Sequence, residues 1–219
     1  MKIIMPQIKK EWCDQILIVD GDSTDGTAEW ARENGYEVYV QKKKGLRMAF
    51  IEGWPLIRGD IVITFSPDGS SLPELIPPLI EKMREGHDMV IVSRYLPPAK
   101  SQDDSFLTGF GNWFFTWTIN LLHGGHLTDA MVMFRAYRTN LFHELELDKD
   151  RAYTTPERLF CTILGCEPLL SVRALKRHVK VAEIPGDEPL RLGGEAKLQM
   201  WRWGAGYLFQ VIREVFCWR

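Results

Sequence analysis

Acidic and hydroxyl side chains follow a short apolar run near the start of the chain. The β-branched run at residues 16–19 ends at Asp20, and Asp22, Ser23 and Thr24 come directly after it. A carboxylate at a strand end can accept hydrogen bonds from ribose hydroxyls or a base N–H, and free backbone N–H groups at a helix start suit phosphate. The spacing therefore indicates a nucleotide site, although a capped surface turn would use the same residue types.

Charged side chains also follow two later apolar runs. The run at 59–65 leads to Asp68, and the run at 88–95 carries Arg94 near its end. Ligands of open α/β sheets bind at the carboxyl ends of the strands, so we expect Asp20, Asp68 and Arg94 to face one crevice. Two carboxylates and a cation in such a crevice suit a diphosphate bound together with a metal ion.

Helix signals separate these apolar runs. A helix is expected from about residue 25 to residue 34, capped by Ser23 or Thr24 and ended by Gly35. A second helix begins at Pro73 and ends at Gly86. Strands that alternate with helices predict an α/β fold, here a mostly parallel sheet sandwiched by helices.

The composition indicates one globular domain. The chain has 219 residues, 45% of them hydrophobic, without a low-complexity run or an internal repeat. Its 27 basic and 29 acidic residues are nearly balanced, which argues against a nucleic-acid partner. The four cysteines lack metal-ligand spacing and nothing marks a secretory signal, so we expect a reducing cytosol.

Two segments indicate contact with a membrane surface. Residues 105–128 contain no Lys, Arg, Asp or Glu, but Gly, Asn and Thr interrupt the apolar run, which favours an interfacial helix over a spanning one. Residues 198–219 form an amphipathic helix in which Trp, Tyr and Arg suit the headgroup region. The alternative is that this helix packs on the domain or on a second copy of the chain, as a homo-oligomer.

Short motifs occur in a fixed order along nearly the whole chain. They lie at residues 19–27, 44–45, 59–60, 66–68, 93–95, 111–112, 128–129, 134–137, 183–185 and 191–198. In this order and spacing they resemble the family 2 glycosyltransferases of the GT-A fold, and most closely their polyprenyl-phosphate, dolichol-phosphate mannosyltransferase-like branch.

The resemblance implies transfer of a hexose, with inversion, from a GDP- or UDP-linked donor to a polyprenyl phosphate at the cytosolic membrane face. It implies a nucleotide-sugar half at 1–95, an acceptor half at 96–197 and the helix at 198–219, with Mg²⁺ or Mn²⁺ as cofactor. Two departures stand out. First, the usual first βα unit is not evident, and residues 1–12 look like the helix that follows the unit's strand. Second, Ser66 replaces the first Asp of the family's metal-binding Asp-x-Asp element, which leaves Asp68 as its carboxylate.

Site residues are expected at the positions that match the family pattern. The donor-binding residues are Asp20, Asp22, Lys44, Asp68, Arg191 and Lys197; the acceptor-binding residues are Arg94, Asn112 and Arg135; the catalytic residues are Asp129, Asp68 and Arg94; and the metal ligand is Asp68. The Gly-rich segment that contains Arg191 and Lys197 is expected to close over both substrates.

Two alternatives stay open at this point. A transferase with a saccharide or soluble acceptor needs a carboxylate that takes the hydroxyl proton, and Asp129 is the best candidate for that base. A catalytically weak nucleotide-sugar-binding protein is the second alternative, because Ser66 is a poorer ligand for a hard cation than a carboxylate.

Overall fold

The computed structural model describes residues 1–192 and 200–218, and within them six strands form two sheets. The strands are β1 (Leu17–Asp20), β2 (Glu37–Val40), β3 (Ile61–Thr64), β4 (Met89–Ser93), β5 (Arg135–Arg138) and β6 (Val181–Pro185). Strands β1 and β2 pair in parallel, and the other four form a sheet in the order β3-β5-β4-β6.

Strand direction in the larger sheet is mixed but mainly parallel. Strand β5 is antiparallel to both β3 and β4, whereas β4 and β6 are parallel, with Ser93 opposite Pro185. Three of the four strands therefore run in one direction, and the predicted α/β class is confirmed. The C-terminal ends of β3, β4 and β6 consequently lie at one edge of the sheet.

Helices connect and cover the strands. They are α1 (Thr27–Glu33), α2 (Leu46–Gly53), α3 (Ile76–Arg84), α4 (Phe106–His123), α5 (Leu141–Glu144), α6 (Thr154–Phe160), α7 (Glu167–Lys176) and α8 (Met200–Cys217). Short 3-10 helices lie at Met5–Gln7, Lys10–Trp12, Trp54–Leu56, Pro73–Leu75 and Asp150–Ala152.

The N-terminal segment differs from the prediction. The single helix expected at residues 1–12 is replaced by two 3-10 helices, and Met5 of the first packs with Ile18 and Ala31. The capping prediction for α1 was also wrong. The N-cap is Gly26, and the Thr27 N–H is bound by the Asp25 carboxylate, while Ser23 lies in the preceding turn with its N–H held by Asp20 at 2.8 Å.

The core lies on both faces of the larger sheet. Every residue of β4 is buried, which fits its continuous apolar sequence and its central position between two paired strands. On one face Trp54 stacks on Phe142, with ring centroids 4.1 Å apart, and on Tyr137. On the other face α3 buries Ile76, Leu79 and Met83 against the sheet.

Helix α4 presents an apolar face to solvent. Its N-terminus is capped by the Ser105 hydroxyl, which accepts the Thr108 N–H at 3.2 Å, and Gly124 ends it in the left-handed conformation. The exposed side chains share one face at helical spacing: Phe106, Phe110, Trp113, Trp117 and Leu121.

Helix α8 has an unusual distribution of polarity. It buries polar Gln210 and Glu214, while Trp201, Ile212 and Phe216 are exposed. Its buried face is fixed by an ion pair between Glu214 and Arg173, at 2.9 Å. None of the described helices combines the length and the hydropathy that crossing a bilayer requires.

Candidate active site

The turn after β1 is organised around the Asp20 carboxylate. Asp20 is buried and its Oδ2 accepts the Ser23 N–H, while Asp22 adopts the left-handed conformation with φ of 64°. The Gln41 N–H at the end of β2 donates to the Asp20 carbonyl at 2.8 Å. The end of β1 therefore holds the fixed Asp20 carboxylate next to Gln41, and these polar groups suit hydrogen bonds to a nucleoside.

The loop that carries Lys44 is shaped by two anchors. The Glu52 carboxylate accepts the backbone N–H groups of Lys42 and Lys43 at 2.6 and 3.0 Å, and the Gln41 side chain donates to the Gly45 carbonyl at 3.2 Å. Lys44 itself is exposed on this loop. Among the described residues, no hydrogen bond joins Asp20, Asp22 or Lys44 to the two charged groups described next.

The first charged group surrounds Asp68 after β3. Its Oδ1 accepts the Ser70 N–H at 2.9 Å and the Ser70 hydroxyl at 2.6 Å, and its Oδ2 lies 3.8 Å from Arg191 Nε. Burial alone raises the pKa of Asp68, but the hydrogen bonds from Ser70 and Ser66 and the Arg191 charge lower the pKa below its ordinary value. Asp68 is therefore ionised at neutral pH.

Residues 186–192, here called the strap, cross directly over Asp68. The Leu192 N–H donates to the Asp68 carbonyl at 2.9 Å, and Arg191 Nε also binds Asp103 at 2.8 Å. Gly69 makes this approach possible: its φ is 101°, and a Cβ there would lie 2.8 Å from the Leu192 side chain. The strap thus covers the end of β3, and Lys197 lies outside the described residues.

The second charged group surrounds Arg94 after β4. Arg94 Nε binds Asp129 Oδ2 at 2.6 Å and Nη2 binds Asp129 Oδ1 at 3.0 Å, so the pair is bidentate. Arg94 Nη1 faces Glu188 Oε2 at 3.2 Å, and Nη2 reaches Asn112 Oδ1 of α4 at 3.2 Å. Burial alone lowers the pKa of Arg94, but the charges of Asp129 and Glu188 raise the pKa above its ordinary value.

A hydrogen-bonded support holds Asp129 in this position. Glu183 of β6 accepts the Thr128 N–H at 2.9 Å and the Asp129 N–H at 3.2 Å. The Thr128 hydroxyl also contacts the Ser93 hydroxyl at 2.5 Å. Asp129 is 0% exposed, so its carboxylate is reached only by its present partners. The arrangement makes Asp129 a group that positions Arg94, and its assignment as the base for a hydroxyl acceptor stays a prediction.

Arg135 requires a further correction. The prediction placed it in the acceptor site, but its guanidinium is fully buried in the core. It donates to the carbonyls of Val132 and Ala130 and to the Ser171 hydroxyl of α7, at 3.0 Å for the last. Because the guanidinium is buried and its partners belong to the core, Arg135 acts as a structural connector between β5 and α7.

The metal-binding capacity of this site is small without substrate. Among residues 1–192 and 200–218, no group of three His, Cys, Asp or Glu side chains converges as a metal centre. Asp68 supplies one ionised carboxylate and the Ser66 hydroxyl lies beside it. These groups fit a divalent cation only if the diphosphate of a bound donor provides most of the oxygen ligands.

Three residues of the site had no place in the sequence prediction. The Gln41 N–H donates to the Asp20 carbonyl, the Asp103 carboxylate accepts from Arg191, and the Glu188 carboxylate accepts from Arg94. Gln41 carries a weak signal, because it follows the apolar run of β2 just as Asp20 follows that of β1. Glu188 and Asp103 lie in polar loops and reach the site only through long-range packing.

The fold and the site define a class before any relative is considered. Carboxylates and a paired arginine lie at the carboxyl edge of a mainly parallel α/β sheet, and this sheet architecture is that of the GT-A fold. Two solved structures share it: mannosyl-3-phosphoglycerate synthase from Rubrobacter xylanophilus (TM-score 0.59, 21% identity, 92% of this chain and 63% of that chain) and glucosyl-3-phosphoglycerate synthase from Mycobacterium tuberculosis (TM-score 0.59, 16% identity, 92% and 69%).

Sequence comparison specifies the family. Residues 13–146, more than half of the chain, match the model of Glycosyl transferase family 2, and the protein belongs to this family. It is 28% identical to undecaprenyl-phosphate mannosyltransferase from Micrococcus luteus, over 90% of this chain and 85% of that protein. It is 29% identical to dolichol-phosphate mannosyltransferase from Pyrococcus furiosus, over 92% of this chain but only 54% of that protein. The predicted family is confirmed.

Proposed function

We propose that this protein transfers a hexose, with inversion, from a GDP- or UDP-linked donor to a polyprenyl phosphate. The names of the two relatives support this acceptor class. The observation that carries the proposal is the double role of α4. Its buried Asn112 contacts Arg94, while Trp113 and Trp117 face outward. A phosphate beside Arg94 and a polyprenyl chain along the aromatic face would therefore meet at one helix.

The state of Asp129 favours a phosphate over a sugar hydroxyl as acceptor. A hydroxyl acceptor needs a base to take its proton, but the Asp129 carboxylate is buried and paired with Arg94. A phosphate oxygen is already anionic at neutral pH and needs only cations to position it. Arg94 and Asn112 are the groups we assign to that task.

The donor is assigned to Asp20, Asp22 and Lys44, which lie after β1 and β2, together with Asp68, which follows β3. Asp20 and Asp22 would accept hydrogen bonds from the nucleoside, and Lys44 would approach a phosphate. When bound, Mg²⁺ or Mn²⁺ supplies positive charge that stabilises the departing diphosphate. Asp68 would hold that ion, and Arg191 adds a second positive charge over the same position.

We also propose that the protein lies on the cytosolic membrane face through α4 and α8. The exposed aromatic face of α4 and the exposed Trp201 of α8 support this. Trp113→Ser combined with Trp117→Ser should reduce binding to anionic phospholipid vesicles several-fold, because each substitution removes an aromatic surface that the membrane would bury. Ile3→Ser, which changes an exposed apolar residue outside both helices, is the control. Equal sedimentation of all variants with vesicles, together with a dimer in solution, would assign the face to a second copy of the chain.

One experiment tests the activity. The protein is incubated with GDP- and UDP-linked hexoses, Mg²⁺ or Mn²⁺, and a polyprenyl phosphate, and the glycolipid and the free nucleoside diphosphate are measured together. Stoichiometric appearance of both products is the expected result. Transfer to a free saccharide at the same rate without lipid would support the alternative acceptor, and donor binding without turnover would support a binding protein.

A further inference from the structure

The donor groups of Arg94 are fully occupied within the described structure. Nε and one N–H of Nη2 bind Asp129, Nη2 also faces Asn112, and Nη1 faces both oxygens of Glu188 at 3.2 and 3.4 Å. An acceptor phosphate beside Arg94 would therefore have to replace one of these partners. The neutral Asn112 oxygen is the most weakly bound of these partners, but its displacement would leave both carboxylates at the guanidinium.

The charges around Arg94 leave no excess positive charge for an incoming anion. One guanidinium faces two carboxylates, those of Asp129 and Glu188, and Glu183 lies directly behind Asp129. A phosphate that entered with both carboxylates in place would be repelled. Binding of the acceptor thus requires that one carboxylate move away.

The two carboxylates differ in how firmly they are held. Asp129 is 0% exposed and makes the shorter, bidentate contacts, and its backbone N–H is bound by Glu183. Glu188 makes longer contacts, is 12% exposed at its side chain and lies on the strap. The strap is joined to residues 100–102 by two backbone hydrogen bonds at Glu188, to Lys100 and from Gln102. Ser101 also donates to the Glu188 carboxylate, and the Lys100 N–H donates to the Asp187 carboxylate. Glu188 is therefore the partner that can leave.

An unused donor lies beside this position. Asn112 Nδ2 is buried and has no hydrogen-bond partner, although its Oδ1 accepts from Arg94. A buried amide donor without a partner costs free energy, about 1–3 kcal/mol for such groups. An anion larger than a carboxylate, with additional oxygens, can satisfy both Arg94 Nη1 and this amide.

We propose that Glu188 is an internal stand-in for the acceptor phosphate, and that its displacement from Arg94 sets the affinity and selectivity for an anionic acceptor. This proposal rests on the proposed function. Glu188 is a specificity-determining residue in this account, since it admits only acceptors that compete with a carboxylate for the guanidinium.

The test uses Glu188→Gln, which keeps the shape of the side chain and removes its charge. Asp187→Asn is the matched control: it removes the same charge from the neighbouring residue, whose carboxylate is exposed and binds the Lys100 N–H rather than Arg94. Affinity for farnesyl phosphate, a short polyprenyl phosphate, is measured by calorimetry, and the acceptor KM is measured alongside. We expect Glu188→Gln to bind farnesyl phosphate about threefold to tenfold more tightly, with Asp187→Asn unchanged.

A third variant separates the two proposals. Arg94→Lys should weaken farnesyl phosphate binding in both the wild-type and the Glu188→Gln background, because lysine cannot replace the forked geometry. If Arg94→Lys weakens binding but Glu188→Gln does not strengthen it, the role of Glu188 is refuted and the proposed function stands. If neither substitution changes the affinity for farnesyl phosphate, the acceptor site itself is refuted. Thermal unfolding of each variant shows that the comparison is made between folded proteins.

Discussion

Arg94→Ala provides the most direct test of the site as described. The substitution would leave the Asp129 carboxylate in a place where it is 0% exposed, with only the Met131 N–H at 3.3 Å and the backbone of residue 94 as partners. Breaking a buried ion pair from one side costs about 3–5 kcal/mol. That is a large share of the roughly 5–15 kcal/mol by which a domain is stable, so we expect Arg94→Ala to be close to unfolding at 37 °C.

Urea denaturation at neutral pH, followed by circular dichroism, measures this change. Asp129→Asn in the same chain removes the unpaired charge, so the double variant should recover at least half of the lost free energy of unfolding. Arg58→Ala is the control, because Arg58 makes a similar pair with Glu37 but is 67% exposed, and its loss should cost about 1 kcal/mol or less. If Arg94→Ala costs no more than Arg58→Ala, the buried pair does not exist in solution and the assignment of Asp129 as a positioning group fails.

Two further outcomes follow from single side chains. In calorimetric titrations, Asp68→Asn should abolish the stimulation of UDP or GDP binding by Mn²⁺, and Ser66→Asp should increase that stimulation. Each substitution changes the number of carboxylates at the metal position. Equal Mn²⁺ stimulation in the wild type and both variants would contradict this. Burial raises the pKa of Glu167, whose Oε1 has no hydrogen-bond partner among the described residues. Protonated Glu167 therefore contributes stability at low pH, and this contribution is lost as the pH rises through the pKa of Glu167 in the folded state. The Tm of Glu167→Gln relative to wild type should therefore increase from about pH 4 towards neutrality, and a difference that is constant with pH would show that Glu167 is not buried as described.

Local sequence patterns predicted the elements that carry the site. Continuous apolar runs identified β1, β3 and β4, and the polar residues that follow them, Asp20, Asp68 and Arg94, lie at the strand ends as expected. The absence of charge at residues 105–128 identified α4, whose ends are set by Ser105 and Gly124. These features depend on side-chain periodicity and capping within a few residues, so the sequence alone contains them.

The same reasoning misplaced residues whose surroundings come from distant segments. Arg135 belongs to a motif and carries a charge, which favoured a binding role, but β5 lies between β3 and β4 and the Ser171 hydroxyl of α7 satisfies its guanidinium. Asp129 was named as the candidate base for a hydroxyl acceptor, and only the tertiary structure shows that it is enclosed with Arg94. Burial of this kind depends on strand order, which local patterns do not contain.

The composition of the strands, the positions of their polar ends and the family were determined by the sequence itself. Only the tertiary structure decided which charges meet. Glu188 and Arg94 are 94 residues apart, and they come together because β6 pairs in parallel with β4 in the register that sets Pro185 opposite Ser93. Shifting that register by one residue would turn the side chains of β6 to the other face. The pairing of Arg94 with a carboxylate of the strap is thus a property of sheet register.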